Sequence, residues 1–194
     1  MALHDTVSNL VQTLLHQGWA TLSSYRFDYR RSDGSVQQVV REVFDHGHGA
    51  AVLLYDAARD VLALTRQFRL PPALNGDAAM MIEACAGLLE GDTPDTCARR
   101  EALEECAIVI TRLEPVFTLY SSPGSVTEKV FCFIGHFDAA APRDPDAAPQ
   151  DKDEDVETVE MTLAEARAAI ATGAITDAKT VALIQHLALA RKNG

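Results

Sequence analysis

The chain has 194 residues, 47% of them apolar, enough for one domain with a sizeable core or a domain plus a small lobe, and too apolar for a disordered chain. Its net charge of −11 disfavours non-specific binding to nucleic acid or to an anionic membrane, both of which need a basic surface. An acidic protein that acted on a phosphate would need metal ions or placed arginines to hold it.

Residues 1–17 carry apolar side chains at helical spacing (Val7, Leu10, Val11, Leu14, Leu15), which predicts an N-terminal helix. Trp19 to Arg30 and Val36 to Phe44 read as strands. Ser32-Asp33-Gly34-Ser35 between them has Asp-Gly at its centre, so the pair reads as a β-hairpin. Ala50 to Tyr55 and Val61 to Gln67 form a second pair. Pro71-Pro72 ends that run, Asn75-Gly76 marks a turn, and Met80 to Cys85 reads as one short strand. The clearest helix is 94–106, with Thr93 as N-cap, Pro94 in the first position and Asp95 in the first turn. Strands follow within Val109 to Tyr120, at Val130 to Phe137 and at Val156 to Met161. A long polar loop, 138–155, separates the last two, and loops of that length are often functional. Leu163 to Ala171 and Ala178 to Arg191 read as helices. Without regular βαβ alternation, the order argues against a doubly wound sheet and for an α+β fold. The 1–46 segment reads as a β lobe ahead of a main domain at 47–194.

Cys85, Cys97, Cys106 and Cys132 show no zinc spacing and read as reduced, mostly buried thiols. MALHDTVSNL lacks a charged region followed by an apolar stretch, so no secretory leader is expected. No apolar run approaches the ~18 residues of a membrane span, and a cytoplasmic location is expected.

The 94–106 helix holds the most unusual pattern. Glu101, Glu104 and Glu105 stand at i, i+3 and i+4, on one face. Like charges so placed cost about 0.2–0.5 kcal/mol per pair, and they occupy the last turn, where the helix dipole prefers cations. On spacing alone, two readings stay open. One is a solvated acidic face partly neutralised by Arg99 and Arg100. The other is a platform of hard oxygen ligands for Mg²⁺ or Mn²⁺. Ala86-Gly87-Leu88-Leu89-Glu90-Gly91-Asp92 precedes the helix, and its glycines allow backbone to approach the carboxylates.

The glycine loop followed by Arg100-Glu101-Ala102-Leu103-Glu104-Glu105 resembles the Nudix box. Further matching stretches are Arg41-Glu42-Val43-Phe44, Gly49 to Tyr55, Arg66-Gln67-Phe68-Arg69, Glu83 to Leu89, Ser122 to Glu128 and Asp177-Ala178-Lys179-Thr180. Together they are similar to the nucleoside diphosphate sugar branch of the Nudix hydrolases, nearest its GDP-mannose pyrophosphatases, with ADP-ribose pyrophosphatases close by. The resemblance implies an α/β/α sandwich with an N-terminal β-hairpin lobe, and a homodimer whose lobe reaches the partner's site. It implies Mg²⁺-dependent hydrolysis, with Mn²⁺ as a substitute, of GDP-mannose to GMP and mannose 1-phosphate. The alternatives are ADP-ribose hydrolysis to AMP and ribose 5-phosphate, and a catalytically silent domain that binds a nucleotide sugar.

By position, the resemblance makes Glu101, Glu105, Glu154 and the Ala86 carbonyl metal ligands, with Glu104 joining through water. Glu105, Glu104, Glu154 and Glu128 would be catalytic, and Glu154 or Glu128 would take the proton of the attacking water. Trp19 would stack on the base. Arg41 and Glu42 would reach nucleotide or sugar across the dimer, and Arg69 and Lys179 would contact phosphate or sugar. Ala86, Gly87, Leu88, Glu128 and Asp153 complete the substrate set. Three departures stand out. Asp92-Thr93 replace the usual glutamate after the loop. The loop-to-helix spacing is one residue short, as in the GDP-mannose branch. Ala107 stands where the box ends in glycine, a strain of ~1 kcal/mol if that position needs positive φ.

Overall fold

The computed structural model describes residues 5–142 and 155–192. Asp153 and Glu154 lie outside them. The described chain forms two compact units: 5–48 with 120–128, and the remainder.

The first unit is a three-stranded antiparallel sheet in the order β1 (Val7–Gln17), β2 (Thr21–Arg30), β3 (Val36–Asp45). The expected hairpin is there. Gly34 takes φ +85° in its turn, and Asp33 Oδ1 accepts from the Ser35 amide at 2.9 Å. The expected N-terminal helix is a strand, β1. Its pairing with β2 shifts register between Ser8 and Val11 and again between Leu14 and His16. Each shift breaks the period of two and leaves apolar residues three and four apart, which imitates helical spacing. The partner strand decides the conformation. Segment 120–128 joins this sheet by a parallel bridge between Phe44 and Val126, with the Phe44 amide donating to the Ser125 carbonyl at 2.8 Å.

The second unit is built on a seven-stranded mixed sheet. Its main path runs β10 (Val156–Thr162), β5 (Val61–Phe68), β4 (Gly49–Asp56), β9 (Lys129–His136), β8 (Arg112–Tyr120). Every residue of β4 is buried, and its side chains alternate between two cores. Ala51, Leu53 and Tyr55 pack with α3 (Leu163–Thr172) and α4 (Ala178–Lys192) through Leu163, Leu183, Ile184 and Leu187. Ala50, Val52 and Leu54 pack with α2 (Pro94–Cys106) through Cys97, Ala98 and Ala102. This is the expected α/β/α sandwich. Each large side chain so buried contributes about 1.5–3 kcal/mol.

One irregularity of the sheet matters for the site. β4 and β5 pair only over Leu54–Asp56 and Val61–Ala63. Beyond that, β5 pairs β6 (Met80–Glu83) and β4 pairs β7 (Cys85–Leu88). The single strand expected at 80–85 is thus two strands with different partners. A short helix, α1 (Leu70–Leu74), carries Pro71 and Pro72 in its first turn, where missing amides cost nothing.

Thr93 is the N-cap residue of α2, but its side chain does not cap; it donates to Asp95 Oδ1 at 2.6 Å. At the other end Ala107 is left-handed, at φ +52° and ψ +36°. That geometry lets the Ile108 amide reach the Ala102 carbonyl at 3.0 Å and the Ala107 amide reach Leu103 at 2.9 Å. The position needs the positive φ that glycine provides.

Candidate functional site

The sequence-predicted residues fall in both units. In the second, α2 lays its acidic face beside β7. Glu101 is only 9% exposed. A side chain at Gly87 would collide with its carboxylate, so the bare Cα of Gly87 is what admits Glu101. Glu105 Oε2 accepts the Ala86 amide at 3.1 Å, Glu105 Oε1 accepts from Gln67 Nε2 at 3.5 Å, and the Glu105 carbonyl accepts from Thr158 Oγ1 at 3.3 Å. β5, β7 and β10 therefore all hold the end of this helix.

Arg100 joins the carboxylates. Its guanidinium lies 2.8 Å from Glu101 Oε1, 3.1 Å from Glu104 Oε2 and 3.1 Å from Asp92 Oδ2, and it donates to the Leu88 carbonyl at 3.1 Å. Burial works against its charge, but Glu101, Asp92 and Glu104 outweigh burial and raise its pKa above that of a free arginine. Arg100 fixes the glycine loop to the helix and offsets the repulsion that the spacing implied. Asp92, standing where the box has glutamate, is one of its anchors. Arg99 donates instead to the Ile110 carbonyl at 2.9 Å.

Arg69 and Lys179 meet on Glu83. Arg69 forks onto it, Nε to Oε1 at 2.7 Å and Nη2 to Oε2 at 3.2 Å. Lys179 Nζ is 2.7 Å from Glu83 Oε2 and 2.9 Å from Asp177 Oδ1. Burial acts to raise the pKa of Glu83, but Arg69 and Lys179 outweigh it and hold the carboxyl below its ordinary range. Burial acts to lower the pKa of Lys179, but Asp177 and Glu83 leave it raised. Asp177 also caps α4, accepting from the Thr180 amide at 3.0 Å and the Thr180 hydroxyl at 2.5 Å. Thr180 Oγ1 in turn accepts from the Ala84 amide at 2.7 Å. Two segments far apart in sequence are thereby tied together beside β6 and β7.

In the first unit, Trp19 sits on the turn between β1 and β2, and Arg41 and Glu42 are exposed on β3. Glu128 accepts from the Ser121 hydroxyl, and its Oε1 is 4.0 Å from His46 Nε2.

The donor set suits a hard divalent cation: the carboxylates of Glu101 and Glu105 and the backbone oxygens of the Ala86–Gly87 strand. Among the described residues, no three Asp, Glu, His or Cys side chains are grouped as a ready cation site. Gln67, Glu83, Asp92 and Arg100 contact the candidate residues or one another, and none of them stands out from the sequence as a site residue. Each lay inside a matched stretch or the box, but only the fold brings it to its partner.

Comparison with known proteins identifies the family. The family model described as the GDP-mannose pyrophosphatase NudK N-terminal domain matches residues 6–44, and that of the NUDIX domain matches 45–184. A GDP-mannose pyrophosphatase of Cronobacter sakazakii is 44% identical over 177 residues, covering 91% of this chain and 92% of its own. Those of Pectobacterium atrosepticum and Yersinia pestis are 42% and 40% identical, each over about nine-tenths of both chains. The crystal structure of an ADP compounds hydrolase superposes with a TM-score of 0.70 at 15% identity, over 100% of this chain and 97% of that one, and so shares the fold. With the family model spanning the sandwich and its acidic helix, the chain belongs to the Nudix family.

Proposed function

We propose that the chain hydrolyses the pyrophosphate of a nucleoside diphosphate sugar, with GDP-mannose giving GMP and mannose 1-phosphate as its principal reaction. The observation that carries this reading is the seating of Glu101 against the Cβ-free Gly87 and of Glu105 on the Ala86 amide, together with Arg69 and Lys179 converging on Glu83 of β6. The names of relatives at 40–44% identity, and the matched N-terminal model, support GDP-mannose over ADP-ribose.

Glu101, Glu105 and the Ala86 carbonyl would hold Mg²⁺, or Mn²⁺ in its place, with Glu104 joining through water and Glu154 adding a ligand from outside the described residues. When bound, the cation neutralises pyrophosphate oxygens and makes water more acidic. Arg69, kept in orientation by Glu83, presents its guanidinium to a phosphate, and Lys179 adds charge beside it. Glu128 or Glu154 takes the proton as water adds to phosphorus and the bridging P–O bond breaks. Trp19 stacks on the base. Arg41, Glu42, Leu88 and Asp153 complete the substrate contacts.

The test is monophosphate release from GDP-mannose and ADP-ribose side by side with Mg²⁺. GDP-mannose is the better substrate, and Glu105→Gln lowers turnover by two or more orders of magnitude with unchanged thermal unfolding. Near-normal turnover in that variant overturns the assignment. Binding of nucleotide sugar without release from any substrate would point to a silent binding domain.

A further inference from the structure

Trp19 is the chain's single tryptophan and is 77% exposed, although it sits on a short turn with few neighbours to hold it. One neighbour does. The Trp19 and His46 rings stack, with centroids 5.2 Å apart and planes at 15°. His46 is itself fixed. Phe44 tilts against it at 5.7 Å, and Glu128 Oε1 lies 4.0 Å from its Nε2. The backbone on either side is tied: the Thr127 amide donates to the Phe44 carbonyl at 3.1 Å, and Asp45 Oδ1 accepts from Thr127 Oγ1 at 2.7 Å and the Gly47 amide at 3.1 Å. His46 Nδ1 is buried and has no hydrogen-bond partner among the described residues. A buried ring nitrogen without a partner is costly. The ring is kept in that place by its stacking and its flanks.

We infer that His46 is a positioning residue for the nucleotide base: its imidazole backs one face of Trp19 and presents the other as a preset platform for a flat purine ring. This rests on the reading that Trp19 takes the base. An indole free to rotate on a turn must be immobilised when the base arrives, and that ordering lowers affinity. An indole already stacked has lost that freedom before binding. The imidazole itself need not touch substrate.

The experiment measures KM and kcat for GDP-mannose in Trp19→Ala, His46→Ala, His46→Phe and the Trp19→Ala/His46→Ala double variant. GMP binding is followed in parallel by the fluorescence of Trp19 in the wild type, His46→Ala and His46→Phe, and by calorimetry in the two variants that lack the indole. His46→Ala raises KM and weakens GMP binding about three- to tenfold, as expected for loss of an aromatic pair, with kcat within about twofold. His46→Phe, which keeps a flat ring, restores both. The double variant is no worse than Trp19→Ala alone, because His46 acts through Trp19. If Trp19→Ala raises KM while His46→Ala does not, or if His46→Ala adds its full effect on top of Trp19→Ala, the role of His46 is overturned and base stacking survives. If Trp19→Ala itself leaves KM unchanged, the base-stacking reading falls and takes the inference with it.

Discussion

A methyl group placed on Gly87 would overlap the Glu101 carboxylate, which is the far end of a flexible side chain rather than fixed backbone. Glu101 can therefore swing away at small cost to stability, but it then leaves the position from which it would hold a cation. Gly87→Ala should lower turnover by at least tenfold and raise the Mg²⁺ concentration needed for half-maximal activity, with Tm shifted by no more than about 2 °C. Unchanged Mg²⁺ dependence would show that Glu101 does not act from that position. Ala107 gives the opposite separation. It holds a left-handed conformation at φ +52° that glycine adopts without strain. Ala107→Gly should stabilise by about 1 kcal/mol, a rise of roughly 2–4 °C in Tm. A fall in Tm would mean that the added freedom of the unfolded chain outweighs the relief of strain.

Glu83 is where three elements are held together, since β6 meets the segment after β5 through Arg69 and the start of α4 through Lys179. Its side chain is 4% exposed, so removing its charge leaves two cations facing a neutral group. A fully buried pair broken this way costs about 3–5 kcal/mol; with Arg69 38% exposed, about 2–3 kcal/mol is expected for Glu83→Gln. The pH dependence follows in sign. The folded-state pKa of Glu83 is lowered, so its contribution is complete above about pH 4.5 and is lost as pH falls through the lower folded value. The folded-state pKa of Lys179 is raised, so its contribution is complete below about pH 10.5 and is lost as pH rises through the higher one. Denaturant unfolding of Glu83→Gln should show a shallower acid limb and an alkaline limb that begins at lower pH. Parallel profiles for the two proteins would remove Glu83 as the coupling group. Most elements could be read from local pattern: the Asp33-Gly34 turn, the strands at 50–55 and 61–67, and the helix opened by Pro94. What could not be read depends on partners. β1 carries helical spacing because two register shifts interrupt its period, and nothing within 1–17 reports the strand beside it. Arg69 and Lys179 were legible as candidates through the matched stretches. Glu83 between them was not, because a carboxylate in a short strand acquires meaning only when residues 69 and 179 arrive beside it.

On the scale of the whole molecule, the three-stranded sheet of the first unit leaves Leu10, Val11, Leu14 and Leu15 of β1 between 40% and 53% exposed. Four large apolar side chains this exposed on one edge strand are more than a monomer usually leaves in water. Covering them with the same strand of a second copy would be self-complementary under two-fold symmetry and would protect a sheet edge at the same time. We propose a homodimer formed through this lobe, in which Arg41 and Glu42 of one copy serve the other's substrate. Light scattering should then give a mass near twice the 21.0 kDa of the chain. Leu14→Glu, placing a charge on the covered strand, should shift the protein toward monomer. If the lobe also serves the partner's site, kcat/KM falls at least tenfold in that variant and recovers as concentration restores the dimer. A monomeric wild-type protein would overturn the arrangement. A monomeric Leu14→Glu protein with full activity would keep the interface but remove its part in catalysis, which places Arg41 and Glu42 outside the reaction.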